Sequence, residues 1–582
     1  MVRKLIGLAL SVAFLSMNVS AQDAKAVIAD ATKALGAESL TSITYSGSAA
    51  NVSFLQSRQI NMPLLPITNY VRAIDLSAPA SRHTGNTNNP PGGAQTGPPA
   101  PGVFNQAVTA QQAVLTQPWT NQVELWITPW AFLKGAAANN ATARTQRVDG
   151  KNYTVLSWSP AVKAPSDASY VINGYINDQK MVERVETWLQ NDILGDMKVE
   201  ATYTDWKDFG GVKAPAKIVQ KRGGLPFFEV NVTAAKANPP DIAALIAGPA
   251  PAGRGGGGAP GGGGAPGGGG APGGRGGGAG APPAGGPPAG GGGRGQGGGA
   301  PAGGPPAAGA AQGGRGGAVP PVPGGGAPPA AGGGGGQRGP AAVTASAEKM
   351  ADGVYRIIGG YVSLAIQMED YIFVLEGGEN DARSVANIAE IKKAIPGLPI
   401  RYVFNTHPHS DHAGGLGAYV AEGATIITHQ NNKKFFEDAF STPRTLLVKT
   451  DTLAKAQEAA KAKGQTVKVK VEGIGDKKVY KDKNHTVELY YMKTNLGTKK
   501  EPDYTPHSEG WMLAYLPKEK ILFQGDFTIA APPANDHVMQ VMVPNVFDRL
   551  KLDFEKYVPV HAANPNVAQS RADVLKAIGR EK

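Results

Sequence analysis

Thr406-His407-Pro408-His409-Ser410-Asp411-His412 puts three imidazoles and one carboxylate into the six residues from His407 to His412. The run follows Arg401–Phe404, a strand-like apolar stretch, and leads into sequence that reads as helix. Sheets commonly carry their ligand sites at such strand ends. His407 and His409 lie two apart on an extended turn and can aim at one ion. Asp411 and His412, about one turn further on, are displaced toward a second position. An isolated histidine is more often structural. Three this close, with an aspartate and no charge run around them, point to a metal site.

The chain contains no cysteine. Disulfides and thiolate zinc ligands are therefore excluded, and any metal must be held by imidazole and carboxylate. Outward from the motif, Tyr361–Gln367 and Tyr371–Glu376 read as a hairpin, Asp381–Ala394 as a helix and Ile400–Asn405 as a strand. A short helix around Gly415–Val420 and a strand at Ala424–Thr428 follow, then strands at Val487–Met492, Gly510–Leu516 and Lys520–Gln524. Strands alternating with helices predict α/β layering for residues 342–582.

His-x-His-x-Asp-His followed by Ala413-Gly414-Gly415 resembles the signature of the metallo-β-lactamase fold superfamily. The resemblance implies a C-terminal αββα sandwich and three further ligands in order downstream. His507 precedes Trp511–Leu516, Asp526 closes Leu522-Phe523-Gln524-Gly525, and His561 ends Val558-Pro559-Val560. By that resemblance His407, His409 and His507 would hold a first metal. Asp411, His412 and His561 would hold a second, and Asp526 would bridge the two. Two Zn2+ are implied, and a site without thiolate also accepts iron or manganese. Two metals roughly 3.5–4 Å apart lower the pKa of a shared water, and the metal-bound hydroxide attacks a carbonyl or similar centre. Asp411 would then be the catalytic proton shuttle.

Departures from the superfamily pattern narrow the expectation. One group of zinc β-lactamases has cysteine where this chain has Asp526, and another lacks the bridging carboxylate. Asp526 therefore leans toward esterases, lactonases, thioesterases and phosphodiesterases, acting on an ester, lactone or amide-like bond. Glu376 in Val374-Leu375-Glu376-Gly377-Gly378 stands where many members carry aspartate, which alters the support behind the ligands. Two other classes stay open. One is an iron-dependent oxidoreductase on the same fold. The other is a lipid- or polymer-binding protein with an accessory hydrolase domain.

The remaining histidines do not enter the ligand set. His429 is a candidate substrate contact, His537 a candidate for the rim or the surface, His485 reads as solvated, and His83 has no partner pattern. The long stretch between His412 and His507, which includes the Lys-rich 449–483, is expected to form a lid or helical hairpin that shapes the substrate pocket, or a solvated arm.

Residues 22–246 have a different rhythm. Asp23–Leu35 reads as a helix, followed by strands at Ser42–Ala50, Gln122–Ile127, Tyr153–Ser157, Ser169–Asn177, Met181–Leu189, Met197–Trp206, Ala216–Lys221 and Phe227–Ala234. This predicts an α+β domain built on a mostly antiparallel sheet, with 84–102 as a mobile loop. Helix followed by meander resembles the curved half-barrels of bacterial lipoprotein-carrier proteins. That resemblance implies an apolar groove for a lipid or polymer ligand; an accessory sheet without a ligand is the alternative.

Between the two regions, 247–341 is Gly, Pro and Ala with sparse Arg and Gln, and it takes much of the chain's 79 glycines and 46 prolines. Such sequence cannot bury apolar surface and is expected to be a disordered linker. Its five arginines (Arg254, Arg275, Arg294, Arg315, Arg338), with Arg3 and Lys4, supply most of the net charge of +11. The charge is therefore a property of the linker and implies no nucleic-acid partner. Arg3-Lys4, the apolar Leu5–Leu15 and Val19-Ser20-Ala21 read as a signal peptide over 1–21. A periplasmic or secreted protein with a small-molecule substrate, and no transmembrane segment after cleavage, is the expectation.

Overall fold

The computed structural model describes residues 18–19, 21–87, 102–109, 118–248, 343–493, 507–529, 542–561 and 569–580. Most of the expected leader, the linker from 249 onward, the segment 88–101 and His537 lie outside the described residues.

The C-terminal region is two sheets packed face to face. The first runs in the order Ser346–Ala351, Val354–Ile358, Ser363–Gln367, Ile372–Leu375, Ile400–Phe404, Thr425–His429 and Lys470–Ile474. Its first four strands are antiparallel neighbours, and the later ones pair in parallel. The second runs Lys477–Lys481, Thr486–Tyr491, Met512–Leu516, Ile521–Gln524, Lys556–Pro559 and Gln569–Ser570. Phe373, Phe404 and Ile427 of one sheet share a buried layer with Leu489, Met512 and Phe523 of the other. Helices close the outer faces. Asp381–Ala394 and Leu416–Ala421 lie outside the first sheet, and Val543–Leu550 and Arg571–Ala577 outside the second. Strands covered on both sides read as unbroken apolar runs, as Ile372–Leu375 does. The αββα layering expected from the sequence is present.

Of the stretch between His412 and His507, residues 494–506 lie outside the described residues, and the Lys-rich 449–483 is built into the sandwich as a helix and two edge strands. After the helix Thr452–Ala462, Lys470–Ile474 becomes the edge strand of the first sheet and Lys477–Lys481 that of the second. The lysines at 477, 478 and 481 are exposed while Tyr480 is buried, so charge marks the solvent side of an edge strand.

The N-terminal region is a large antiparallel sheet. Its order places Thr142–Val148 through Leu225–Ala237 consecutively, then Ser42–Asn51, Leu65–Asp75, Ala80–Thr87 and Gly102–Thr109, with Asn18–Val19 beside Thr142–Val148. Helices Ala21–Ala34, Trp119–Trp126 and Pro129–Ala138 pack against it. Gln122–Ile127, expected as a strand, is the end of the helix Trp119–Trp126 and its cap. Pro118 opens a helix whose buried residues include Trp119, Gln122 and Val123, and Trp126 packs on Trp158. That spacing of three and four is the helical period; the β-rich composition of the segment concealed it. Thr84–Thr87, expected inside a loop, is the end of a paired strand.

One continuous apolar cluster runs from the N-terminal sheet into the outer helical layer of the C-terminal sandwich. The described residues of the N-terminal and C-terminal regions accordingly fall in a single compact unit. At one part of the seam, the turn Asp192–Asp196 docks on Pro443–Leu446. Arg444 Nη2 donates to the Asp192 and Ile193 carbonyls at 2.6 and 3.1 Å. Asp196 accepts from the Thr445 and Leu446 amides at 2.9 and 2.8 Å. Among the described residues, no helix is long and apolar enough to cross a membrane.

Candidate metal centre

Six of the seven candidate ligands lie at the C-terminal end of a strand or in the turn or helix that follows; His507 instead lies in the turn before the strand Met512–Leu516. His407 and His409 follow Ile400–Phe404, and Asp411 and His412 lie on the short helix Ser410–Ala413. Asp526 follows Ile521–Gln524 and His561 follows Lys556–Pro559. Those last two strands are parallel neighbours, so their ends emerge side by side. The two sheets are tied at this point by the Met512 amide, which donates to the Thr406 carbonyl at 2.8 Å. Two glycines permit the close approach. A Cβ at Gly525 would lie 3.0 Å from Thr406 Oγ1, and one at Gly414 would lie 2.1 Å from the Glu379 carbonyl oxygen.

All seven candidate ligands converge, as two groups: His407, His409, His507 and Asp526 in one, Asp411, His412 and His561 in the other, each with ligating atoms within 4.8 Å of one another. Asp526 spans both. Its Oδ2 lies 3.1 Å from His407 Nε2 and 2.6 Å from His507 Nε2. Its Oδ1 lies 3.2 Å from His412 Nε2 and 3.0 Å from His561 Nε2.

The donor set fits divalent cations. His407 Nε2 and His507 Nε2 are 3.2 Å apart, and His412 Nε2 and His561 Nε2 are 2.9 Å apart. Ring nitrogens at that separation need a proton or a cation between them. Burial, reinforced by the neighbouring imidazoles of His412 and His409, pushes His407 well below the usual histidine range; burial also lowers His409, to about 3. Both rings are thus neutral and offer lone pairs. In the second group burial again opposes protonation, but the carboxylates win. Asp526 and Asp411 hold His412 well above its ordinary value and bring His561 up to about 9. Asp411 and Asp526 are both held well below the usual carboxylate range: burial opposes this, and the adjacent imidazoles, His412 foremost, overcome it. Borderline cations with imidazole and carboxylate ligands suit this chemistry.

The ligands are themselves held. Glu376 is fully buried, with φ +73°; its Oε2 accepts from Thr406 Oγ1 at 2.5 Å and lies 3.2 Å from His412 Nδ1. Glu376 thereby fixes His412 with Nε2 toward the cluster. Thr406 Oγ1 also lies 3.1 Å from His407 Nδ1. The open side of the centre is marked by Asp411 and His561, whose side chains are 29% and 31% exposed. Tyr361 stands there, its ring 4.7 Å from that of His561, and burial next to Asp411 pushes its phenol up, so it stays protonated.

The other histidines take structural places. His485 is buried and its Nδ1 lies 2.8 Å from Glu519 Oε1, not solvated as its turn-like sequence implies. His429 is buried, caps the helix Gln430–Ser441 and packs on Tyr491 with ring centroids 4.2 Å apart. His83 is buried against Tyr70, with its Nδ1 2.7 Å from the phenol oxygen. Sequence reasoning missed Gln56, Ser57 and Tyr361. No local pattern marks them; only the folded chain brings 53–58 to the motif.

The model of the metallo-beta-lactamase superfamily matches residues 376–563, and this C-terminal domain belongs to that superfamily. Among solved structures, the chain is similar to a metallo-beta-lactamase from Pontibacter korlensis at 14% identity and a TM-score of 0.28, over 41% of this chain and 99% of that one. No curated protein matches the chain.

Proposed function

We propose that the protein is an exported, dinuclear zinc-dependent hydrolase acting on an ester, lactone or amide-like bond. The observation that carries this reading is the division of Asp526, one oxygen toward each histidine group. His407, His409 and His507 would hold one ion, Asp411, His412 and His561 the other, with Asp526 between them. Bound divalent ions supply an activated water and charge neutralisation at the attacked centre. The chain's own groups do the rest. Asp411, held ionised on the open side, accepts the proton released during attack and returns it to the leaving group. Glu376 and Thr406 keep His412 and His407 from rotating. The protonated Tyr361 phenol is a hydrogen-bond donor to substrate on the rim. Export rests on the leader pattern of residues 1–21.

The test is a screen of the zinc-loaded chain against esters, lactones, β-lactams and phosphodiesters, with Asp411→Ala as control. Turnover of one class, lost in the control, is expected. Stoichiometric redox-active iron in protein from its native host would favour the oxidoreductase reading instead.

A further inference from the structure

The metal-site motif is touched by a segment that lies some 350 residues earlier in the chain. After the strand Ser42–Asn51, the backbone makes a turn in which the Gln56 amide donates to the Ser53 carbonyl at 3.0 Å, and Ser57 Oγ donates to the same oxygen at 2.8 Å. Four consecutive residues of this strap then bond to the metal loops. The Leu55 carbonyl accepts from the Ser410 amide at 2.9 Å. The Gln56 side-chain amide donates to Ser410 Oγ and to Asp411 Oδ1, both at 2.7 Å. The Ser57 carbonyl lies 3.1 Å from His409 Nε2, and the Arg58 carbonyl accepts from the Glu509 amide at 2.5 Å.

Two of these contacts fix a ligand. A carbonyl can only accept, so His409 Nε2 carries the proton of the neutral ring, and Nδ1 is left as its lone-pair nitrogen. Gln56 occupies Asp411 Oδ1, leaving Oδ2 as the oxygen that lies 3.1 Å from His561 Nε2. His409 belongs to one ligand group and Asp411 to the other. The strap also holds Leu55 at φ +56°, a conformation unfavourable for a residue with a Cβ. Such backbone persists where surrounding bonds over-determine it.

We propose that the strap Ser53–Arg58 is a working part of the metal centre, with Gln56 the positioning residue for Asp411 and the Ser57 carbonyl the one for His409. The N-terminal sheet is then not an independent module but the outer support of both ligand groups. This inference rests on the metal-site reading above.

The test is titration of the full, metal-free chain with Zn2+ against a chromophoric chelator. The wild type is expected to take two equivalents. Gln56→Leu and Gln56→Ala are expected to weaken one equivalent by about 10–100-fold, the usual effect of losing a group behind a ligand, and to leave the other tight. Asp196→Ala, which loosens the seam away from the metal, should leave both unchanged. No zinc uptake by the wild type would sink the metal-site reading itself. Two tight equivalents in both Gln56 variants would overturn the strap proposal alone, as would equal weakening in Asp196→Ala.

Discussion

His409 and His412 lie three residues apart, yet they are backed in opposite ways. Behind His412 stands Glu376, a buried carboxylate of the same domain that ends the neighbouring strand and also accepts from Thr406. Behind His409 stands the Ser57 carbonyl, brought in by the N-terminal sheet. One backing forms whenever the sandwich folds. The other forms only when two regions dock. The difference means that His409, and with it Asp411 through Gln56, depends on docking of the N-terminal sheet, whereas His412 is held within its own domain.

The largest effect belongs to the group that serves both halves. Asp526→Ala removes the carboxylate shared by His407, His507, His412 and His561, so the distinction between the halves disappears. Metals supply several kcal/mol of transition-state stabilisation, so turnover should fall roughly a thousandfold or more. Zinc content measured by elemental analysis should fall with it. Retention of two zinc ions in this variant would break the bridging assignment.

Next is the seam, where stability rather than chemistry responds. Arg444 and Asp451 have side chains only 1% and 4% exposed, and Arg444 also holds two carbonyls of the Asp192–Asp196 turn. Removing one member of a buried pair typically costs about 3–5 kcal/mol. Arg444→Ala should therefore lower the urea midpoint of unfolding sharply. Zinc affinity of the folded protein should hold, because the strap has its own bonds to the motif. If affinity drops in step with stability, docking as a whole supports His409, and the contrast with His412 must be restated as domain against domain.

Glu376→Gln tests the internal backing. It keeps the shape of the side chain but removes the charge opposite His412, and about 10–100-fold weaker binding at one zinc is expected. Gln56→Leu removes the support of Asp411 in that same ligand group, so in the double variant both losses should fall on the same zinc and need not add.

These supports differ in how far they could be read from the chain alone. The convergence of the seven candidate ligands was legible in two ways: the spacing within His407–His412 is a local property, while His507, Asp526 and His561 were placed by the family resemblance that this motif carries. Glu376 was legible as an oddity beside a strand. The segment Gln122–Ile127 was misread because aromatic and β-branched residues mask a helical period, and the partners of His485 and His83 arrive from a turn and a strand that no local pattern connects to them. Gln56 and Ser57 belong to the same kind: an amide and a carbonyl in an undistinguished turn acquire meaning only through docking.

The smallest expected effect is at the open rim. Tyr361 touches the second ligand group through the His561 ring and through a hydrogen bond of its phenol to Asp411, a carboxylate that Gln56 also holds. If its phenol only donates a hydrogen bond to substrate, Tyr361→Phe should lower kcat/KM by roughly 3–10-fold, the worth of one neutral hydrogen bond of about 0.5–1.5 kcal/mol. Zinc affinity should not change, since the ring remains beside His561. A loss of zinc in this variant would mean that the hydroxyl holds Asp411 in place. Asp411 would then be supported from both sides, by Gln56 of the strap and by Tyr361 of its own domain, and the division between borrowed and internal support would no longer fall cleanly between the two histidines.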